Sequence, residues 1–257
     1  MCGHAGRHNS MLPLSDPDIE RRRFPIITLS LVVLCAVFFI YELALDDTSR
    51  ILFFYKFGLI PCEITQGVSY TVLQTPYGGL DIATPFPDWA TLFTSMFLHG
   101  DWMHFLSNML YLWVFGSTLE DRFGRVGYLL FYLAAGLIAT GLQIAVDTGS
   151  QVPNIGASGA IAGILGAYLV LYPLSRIRAI VAYVFITFIR IPAWILLGFW
   201  ILLQFAGGMG SLGPTAQTGG IAYWAHIGGF LAGVVVVLFI KLIAVQTAHR
   251  QPTSWRM

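Results

Sequence analysis

Long apolar runs alternate with short polar ones along this chain, and the run lengths set the architecture. Residues 24–45 are apolar over about the 20 residues that a bilayer core requires, with Glu42 expected at the interface. Further apolar segments cover residues 102–119, 127–146, 158–173, 192–209 and 221–244. Residues 177–189 are also apolar, but they are short for a span and bracketed by Arg176, Arg178 and Arg190. They are expected to lie in the interface or to fold back. Residues 46–101 are broken by Pro61, Pro76, Gly78, Gly79, Pro85 and Pro87 and are rich in aromatics, which predicts a long loop lying partly in the bilayer edge. The pattern therefore predicts an all-α polytopic membrane protein. A six-helix domain over residues 24–244 stands between a polar tail at 1–23 and a second tail at 245–257.

Composition agrees with that pattern. The chain is 56% hydrophobic and 11% charged, with mean hydropathy +0.73, whereas a soluble domain carries about 25% charged residues. The run Arg21-Arg22-Arg23 ahead of the first apolar segment resembles the start of a signal peptide. No small-x-small cleavage site follows it, so the segment reads as an uncleaved span. Met11 is a candidate initiator. A net charge of +1 leaves no basic surface for nucleic acid. Cys2, Cys35 and Cys62 fall in a tail, a span and a loop without CxxC spacing, so neither a disulfide framework nor a metal site is expected.

Lysine and arginine give the orientation. With six spans and the N-terminus inside, the inner segments hold 12 of the 14 basic residues, and only Arg50 and Lys56 lie outside. The outer loops instead carry Asp46, Asp47, Glu63, Asp81, Asp88 and Asp147. A seventh span through 177–189 would put the basic C-terminus outside, so both ends are expected on the cytoplasmic side.

Polar side chains inside a bilayer are costly and point to function. If Arg176 and Arg178 hold the inner end of segment 158–173 at the interface, its roughly 16 residues reach about 24 Å into a roughly 30 Å core. Ser158 then lies roughly 6 Å below the outer surface. Counted from their own outer ends, His226 lies at roughly 7–8 Å, His104 at roughly 3 Å and Asn108 at roughly 9 Å. Such a set suits acyl transfer, with Ser158 as nucleophile and His226 as its base and then the acid for the leaving amine. His104 and Asn108, four apart on one helical face, can donate to an oxyanion together with the Ser158 backbone N–H. Gly159, Gly163, Gly166, Gly229 and Gly233 allow close helix approach. Taken singly, these residues would mean less: small residues around Ser158 usually reflect packing, and His104, Asn108, Asn154, Gln143 and Gln204 could simply tie helices together. His99 is expected to brace the loop against the second span, and Glu120-Asp121-Arg122 to form an inner-end salt-bridge cluster.

The segments Thr94-Ser95-Met96-Phe97-Leu98-His99-Gly100, His104-x-x-x-Asn108, Gly156-Ala157-Ser158-Gly159-Ala160 and Ala225-His226-Ile227-Gly228-Gly229-Phe230-Leu231-Ala232-Gly233 resemble those of the rhomboid family of intramembrane serine proteases, bacterial members above all. The likeness runs from about Met11 to about Ala244 and includes Pro192-Ala193-Trp194. It implies a six-transmembrane-helix core, a Ser158–His226 dyad, and His104 and Asn108 at the oxyanion site. It also implies cleavage of the transmembrane segments of other proteins and no cofactor, with a bacterial plasma membrane as the setting. Two positions depart from the pattern. Ala162 stands where some members carry a tyrosine that packs on the histidine, which leaves Tyr223, Trp224 and Tyr168 as candidates for orienting His226. Trp89 is followed by Ala90 rather than by arginine.

An inactive rhomboid-like protein that binds membrane proteins for quality control is the alternative, although such relatives tend to lose the serine or the histidine. A transporter would favour internal repeats. Metallo- and aspartyl protease readings fail for want of HExxH or paired intramembrane aspartates. Substrate access is hinted at only by the aromatic outer loop and by the fifth span, with its large Trp194, Phe199 and Trp200.

Overall fold

The computed structural model describes residues 11–67, 69–75, 78–182, 186–212 and 221–249. The start of the N-terminal tail, with Cys2 and Arg7, and the end of the C-terminal tail, with Arg250 and Arg256, lie outside the described residues. In chain order the elements are β1 (Met11–Ser15), α1 (Ile26–Ala44), α2 (Asp47–Phe57), α3 (Pro61–Gln66), β2 (Val72–Thr75), β3 (Gly78–Asp81) and α4 (Thr91–Thr94). Then follow α5 (Trp102–Tyr111), α6 (Ser117–Val146), α7 (Ser158–Leu171), β4 (Arg176–Ala182), β5 (Ile186–Pro192), α8 (Ala193–Gly210) and α9 (Tyr223–His249).

Four helical stretches among the described residues are long and apolar enough to cross a membrane: Ile26–Ala44, Trp102–Val146, Ala193–Gly210 and Tyr223–Gln246. The second joins α5 to α6 through a π-helical turn at Leu112–Gly116. Its 45 residues would reach about 68 Å if straight, more than twice a bilayer core. It folds back instead at Gly124, whose φ of 73° only glycine adopts readily. Beyond that break the Tyr128 hydroxyl returns against Gly116. Glu120 accordingly reaches the start of α1, and Gln143 the start of α9. This stretch therefore crosses twice. With the shorter apolar helix α7 this gives six apolar helical segments among the described residues, the number that the hydrophobic pattern predicts.

Helix α7 forms the centre, with every residue from Ala160 to Tyr168 buried. Its glycines let α9 approach to backbone contact. A Cβ at Gly229 would fall on the Gly159 carbonyl oxygen, one at Gly233 on that of Gly163, and one at Gly166 on that of Phe230. Fourteen residues rise only about 21 Å, so α7 does not fill the bilayer. At its C-terminus Lys241 Nζ of α9 donates to the Val170 carbonyl at 2.8 Å, answering a free acceptor of the last turn.

The departures from the helical pattern lie at the two ends. Segment 177–189 does fold back, as the antiparallel hairpin β4–β5, and β1 adds a third strand in the order β1-β4-β5. The polar N-terminal segment is thus docked from Met11 onward. Asp16 accepts from the Tyr168 hydroxyl and, at 2.7 Å, from that of Ser175, while Asp18 accepts from the Arg176 N–H at 2.8 Å. At the opposite end the long connection is more ordered than a loop, with the short helices α2, α3 and α4 and the hairpin β2–β3 among its described residues. Asp46 caps α2 by accepting from the N–H groups of Thr48 and Ser49 at 3.0 and 3.1 Å. The two outer basic residues are both paired here, Arg50 with Asp47 at 2.9 Å and Lys56 with Asp81 at 3.0 Å.

Glu120 corrects the expected salt-bridge cluster. Its buried carboxylate accepts from the N–H groups of Ile27 and Thr28 at 2.9 and 2.8 Å and from the Thr28 hydroxyl at 2.9 Å. It therefore caps the N-terminus of α1, where free donors and the positive end of the helix dipole favour an anion. Asp121 likewise takes a backbone group, the Arg22 N–H, at 3.2 Å. Glu120→Ala should lower stability by about 2–3 kcal/mol through the stranded donors, and Glu120→Gln by less. Thermal unfolding in detergent checks this, and an Ala variant melting with the wild type would refute the cap.

Candidate active site

Gly156 sets the approach to α7. Its φ of 124° suits only glycine, and an added Cβ would lie 2.6 Å from His104 Nε2 and 3.6 Å from Ser158 Oγ. The same residue is held from behind by its N–H, which donates to the Ser95 carbonyl at 2.8 Å. The helix then begins at once, so Ser158 occupies its first turn, where backbone N–H groups lack intrahelical acceptors.

His226 enters on the first turn of α9, whose start is tied down when the Ala225 N–H donates to Gln143 Oε1 at 3.2 Å. Its Nε2 stands 2.8 Å from Ser158 Oγ, and its Nδ1 stands 2.8 Å from Gln204 Oε1. Two side chains sixty-eight residues apart in sequence thus share one hydrogen bond. Trp200, one turn before Gln204 on α8, places its ring 5.7 Å from the imidazole and 6.2 Å from the Phe230 ring.

The first turn of α5 is capped by Asp101, which accepts from the His104 N–H at 2.9 Å. This aims the His104 ring at Gly156 and so at the serine. Asn108 lies one turn further along the same face and is buried. Its amide Nδ2 has no hydrogen-bond partner among the described residues, a costly state for a buried donor. All four residues read from the sequence therefore sit at the same end of α5, α7 and α9.

His99 braces the loop as expected. Its N–H donates to the buried Glu42 carboxylate at 3.3 Å, and its ring packs edge-on against Phe39, Phe105 and His104. Burial, with His104 beside it, pushes the His99 imidazole down to about 3, so it stays uncharged. Glu42, expected at the interface, is buried within the protein as the acceptor that closes the loop onto α1.

The candidates for orienting His226 need correction. The Tyr168 hydroxyl is bound to Asp16 at the far end of α7, the Trp224 Nε1 donates to Ser211 at 3.3 Å, and the Tyr223 ring lies against Gly207. Among the described residues it is Gln204, by hydrogen bond, and Trp200, by its ring, that stand beside the imidazole together with Ser158. A signal for Gln204 existed: counted from the outer end of α8 it lies roughly 9 Å deep, level with His226. Phe199 faces outward, whereas Trp200 belongs to the site.

A small cavity of about 30 Å³ adjoins Ser158, lined by residues that include Gln143, Thr140, Asn154 and Gly159, and it is large enough to hold water. Among the described residues no group of three or more His, Cys, Asp or Glu side chains is placed to hold a metal ion. Cys35 and Cys62 are buried as free thiols in α1 and α3.

Known proteins resemble this chain over part of its length. Rhomboid protein 1, mitochondrial, of Saccharomyces cerevisiae is 26% identical over 167 residues, covering 63% of this chain and 45% of that protein. Rhomboid-like protein 11, chloroplastic, of Arabidopsis thaliana is 31% identical over 165 residues, covering 61% and 54%. Rhomboid protease GluP of Bacillus subtilis is 43% identical over 82 residues, covering 32% and 16%. The chain thus spans about half or less of the length of these relatives. A family model described as the Rhomboid domain matches residues 87–242. That match runs from the turn before α4 into the last turns of α9, over more than half of the sequence, and on that extent the chain is a multi-pass membrane protein of the rhomboid family.

Proposed function

We propose that this protein is an intramembrane serine endopeptidase that hydrolyses peptide bonds in or near the transmembrane segments of other membrane proteins. The observation that carries this reading is the 2.8 Å contact between His226 Nε2 and Ser158 Oγ at the start of a helix. Neutral His226 takes the Ser158 proton as Oγ attacks the scissile carbonyl. The oxyanion receives the Ser158 backbone N–H and the side chains of His104 and Asn108, and the positive end of the α7 dipole adds to their field. The imidazolium then protonates the leaving amine. A water deprotonated by His226 next attacks the acyl-enzyme, releasing the new carboxyl end and restoring the serine. Because α7 is short and begins below the membrane surface, that water has a route to the serine.

The basic end of the bundle faces the cytoplasm, with both termini, and the serine opens toward the outer side; a bacterial plasma membrane fits this arrangement. The test is labelling by a serine-reactive fluorophosphonate together with cleavage of a single-span substrate in proteoliposomes. Adduct mapped to Ser158, with labelling and cleavage both absent in Ser158→Ala, is the expected result. Folded wild type that neither labels nor cuts across several substrates would instead favour a non-catalytic role in binding membrane proteins.

A further inference from the structure

We propose that Gln204 is a positioning residue for His226, completing a Ser158–His226–Gln204 relay in place of the ring that Ala162 cannot supply. This rests on the dyad reading above and deepens it. The carboxamide of Gln204 is fixed by two contacts. Its Nε2 approaches the Trp200 carbonyl at 3.4 Å within α8, and its Oε1 stands 2.8 Å from His226 Nδ1. Turning the amide over would set its oxygen against the Trp200 carbonyl oxygen, two acceptors with no proton between them. The amide oxygen therefore faces the imidazole, and an acceptor there requires the proton on Nδ1.

That choice of tautomer decides the chemistry. With Nδ1 protonated, Nε2 carries a lone pair, and Nε2 is the nitrogen 2.8 Å from Ser158 Oγ. The serine hydroxyl can then donate to it, as a general base requires. The other tautomer would point an N–H at the serine and leave no base. Gln204 also fixes the ring plane, with the Trp200 indole 5.7 Å away limiting rotation. As an uncharged acceptor, Gln204 would support the imidazolium formed during turnover less than a carboxylate would, at a smaller cost of desolvation in the bilayer.

Three variants test this in proteoliposomes: Gln204→Met, which keeps the length but removes the acceptor, Gln204→Glu, which keeps the acceptor, and Ser158→Ala. Gln204→Met should lower kcat and the fluorophosphonate labelling rate about 10–100-fold with KM little changed. Gln204→Glu should recover most of that loss. It should also move the acid limb of the kcat–pH profile to higher pH, because a carboxylate favours imidazolium. The titratable side chain of α5 at the site is His104, which stands against Gly156 beside Ser158, while α6, α7 and α8 present Gln143, Ser158, Trp200 and Gln204, none charged. Wild-type kcat and labelling in Gln204→Met would overturn the proposal, as would equal losses in the Met and Glu variants tracking a lowered thermal midpoint. Should Gln204→Met fail to fold, an unmoved acid limb in folded Gln204→Glu overturns it. Labelling that survives in Ser158→Ala would instead refute the dyad reading itself.

Discussion

His226→Ala is expected to leave a folded bundle and to slow cleavage by about 10⁴-fold or more, the scale on which a serine hydrolase loses its base. The fold should tolerate the change because α9 is held elsewhere. Gly229 and Gly233 seat it on α7, and the Ala225 N–H is bound to Gln143. The imidazole itself contributes hydrogen bonds to Ser158 and Gln204, whose loss should lower stability by about 1–2 kcal/mol. Without it the Ser158 hydroxyl keeps its proton and is a weak nucleophile near pH 7. The sharper measurement is the double variant Ser158→Ala/His226→Ala. Groups that act as one unit are not additive, so the double variant should be no slower than either single one. Rates that multiply instead would mean the two side chains contribute separately, and the relay would have to be abandoned.

The six apolar helical segments and the Ser158–His226 contact are legible in the sequence because both rest on one-dimensional signals. Hydrophobic run length fixes the spans, and counting inward from span ends places Ser158, His226, His104 and Asn108 at one depth. Contacts between side chains of different helices were less accessible. Gln204 carries a depth signal of its own, but a glutamine in a span reads equally well as a tie between helices. Only the packing of α8 on α9 shows that what it ties is the imidazole. Glu120 departs from expectation for a related reason: charge order along the chain suggests neighbouring ion pairs, whereas the carboxylate finds backbone donors of α1 across the bundle. The hairpin β4–β5 did leave a trace. Along Arg176-Ile177-Arg178-Ala179 charged and apolar residues alternate, and Ile177 and Ala179 are buried while Arg176 and Arg178 are exposed, the period-two pattern of a half-buried strand. The pairing of β1 onto that hairpin depends on tertiary contact through Asp16 and Asp18, which no local pattern announces.

Asn108→Leu should separate the demands of turnover from those of stability. A side-chain donor aimed at a developing oxyanion contributes about 10²–10³-fold, so kcat should fall by that much. KM should hold if Asn108 acts on the transition state rather than on bound substrate. Stability should move the other way. The Asn108 side chain is buried with its Nδ2 unpartnered, and replacing it with an apolar group of similar size removes a desolvated donor. The thermal midpoint should therefore stay level or rise, by an amount corresponding to about 1 kcal/mol. A buried donor without a partner among the described residues, engaged by the reacting carbonyl, would explain both effects at once. If Asn108 were instead a tie between helices, leucine would lower the midpoint and turnover per folded molecule would be unchanged. Cleavage rate and melting measured on the same proteoliposome preparations distinguish the two, because the oxyanion role lowers turnover without lowering the midpoint, whereas the packing role lowers the midpoint and leaves turnover per folded molecule unchanged.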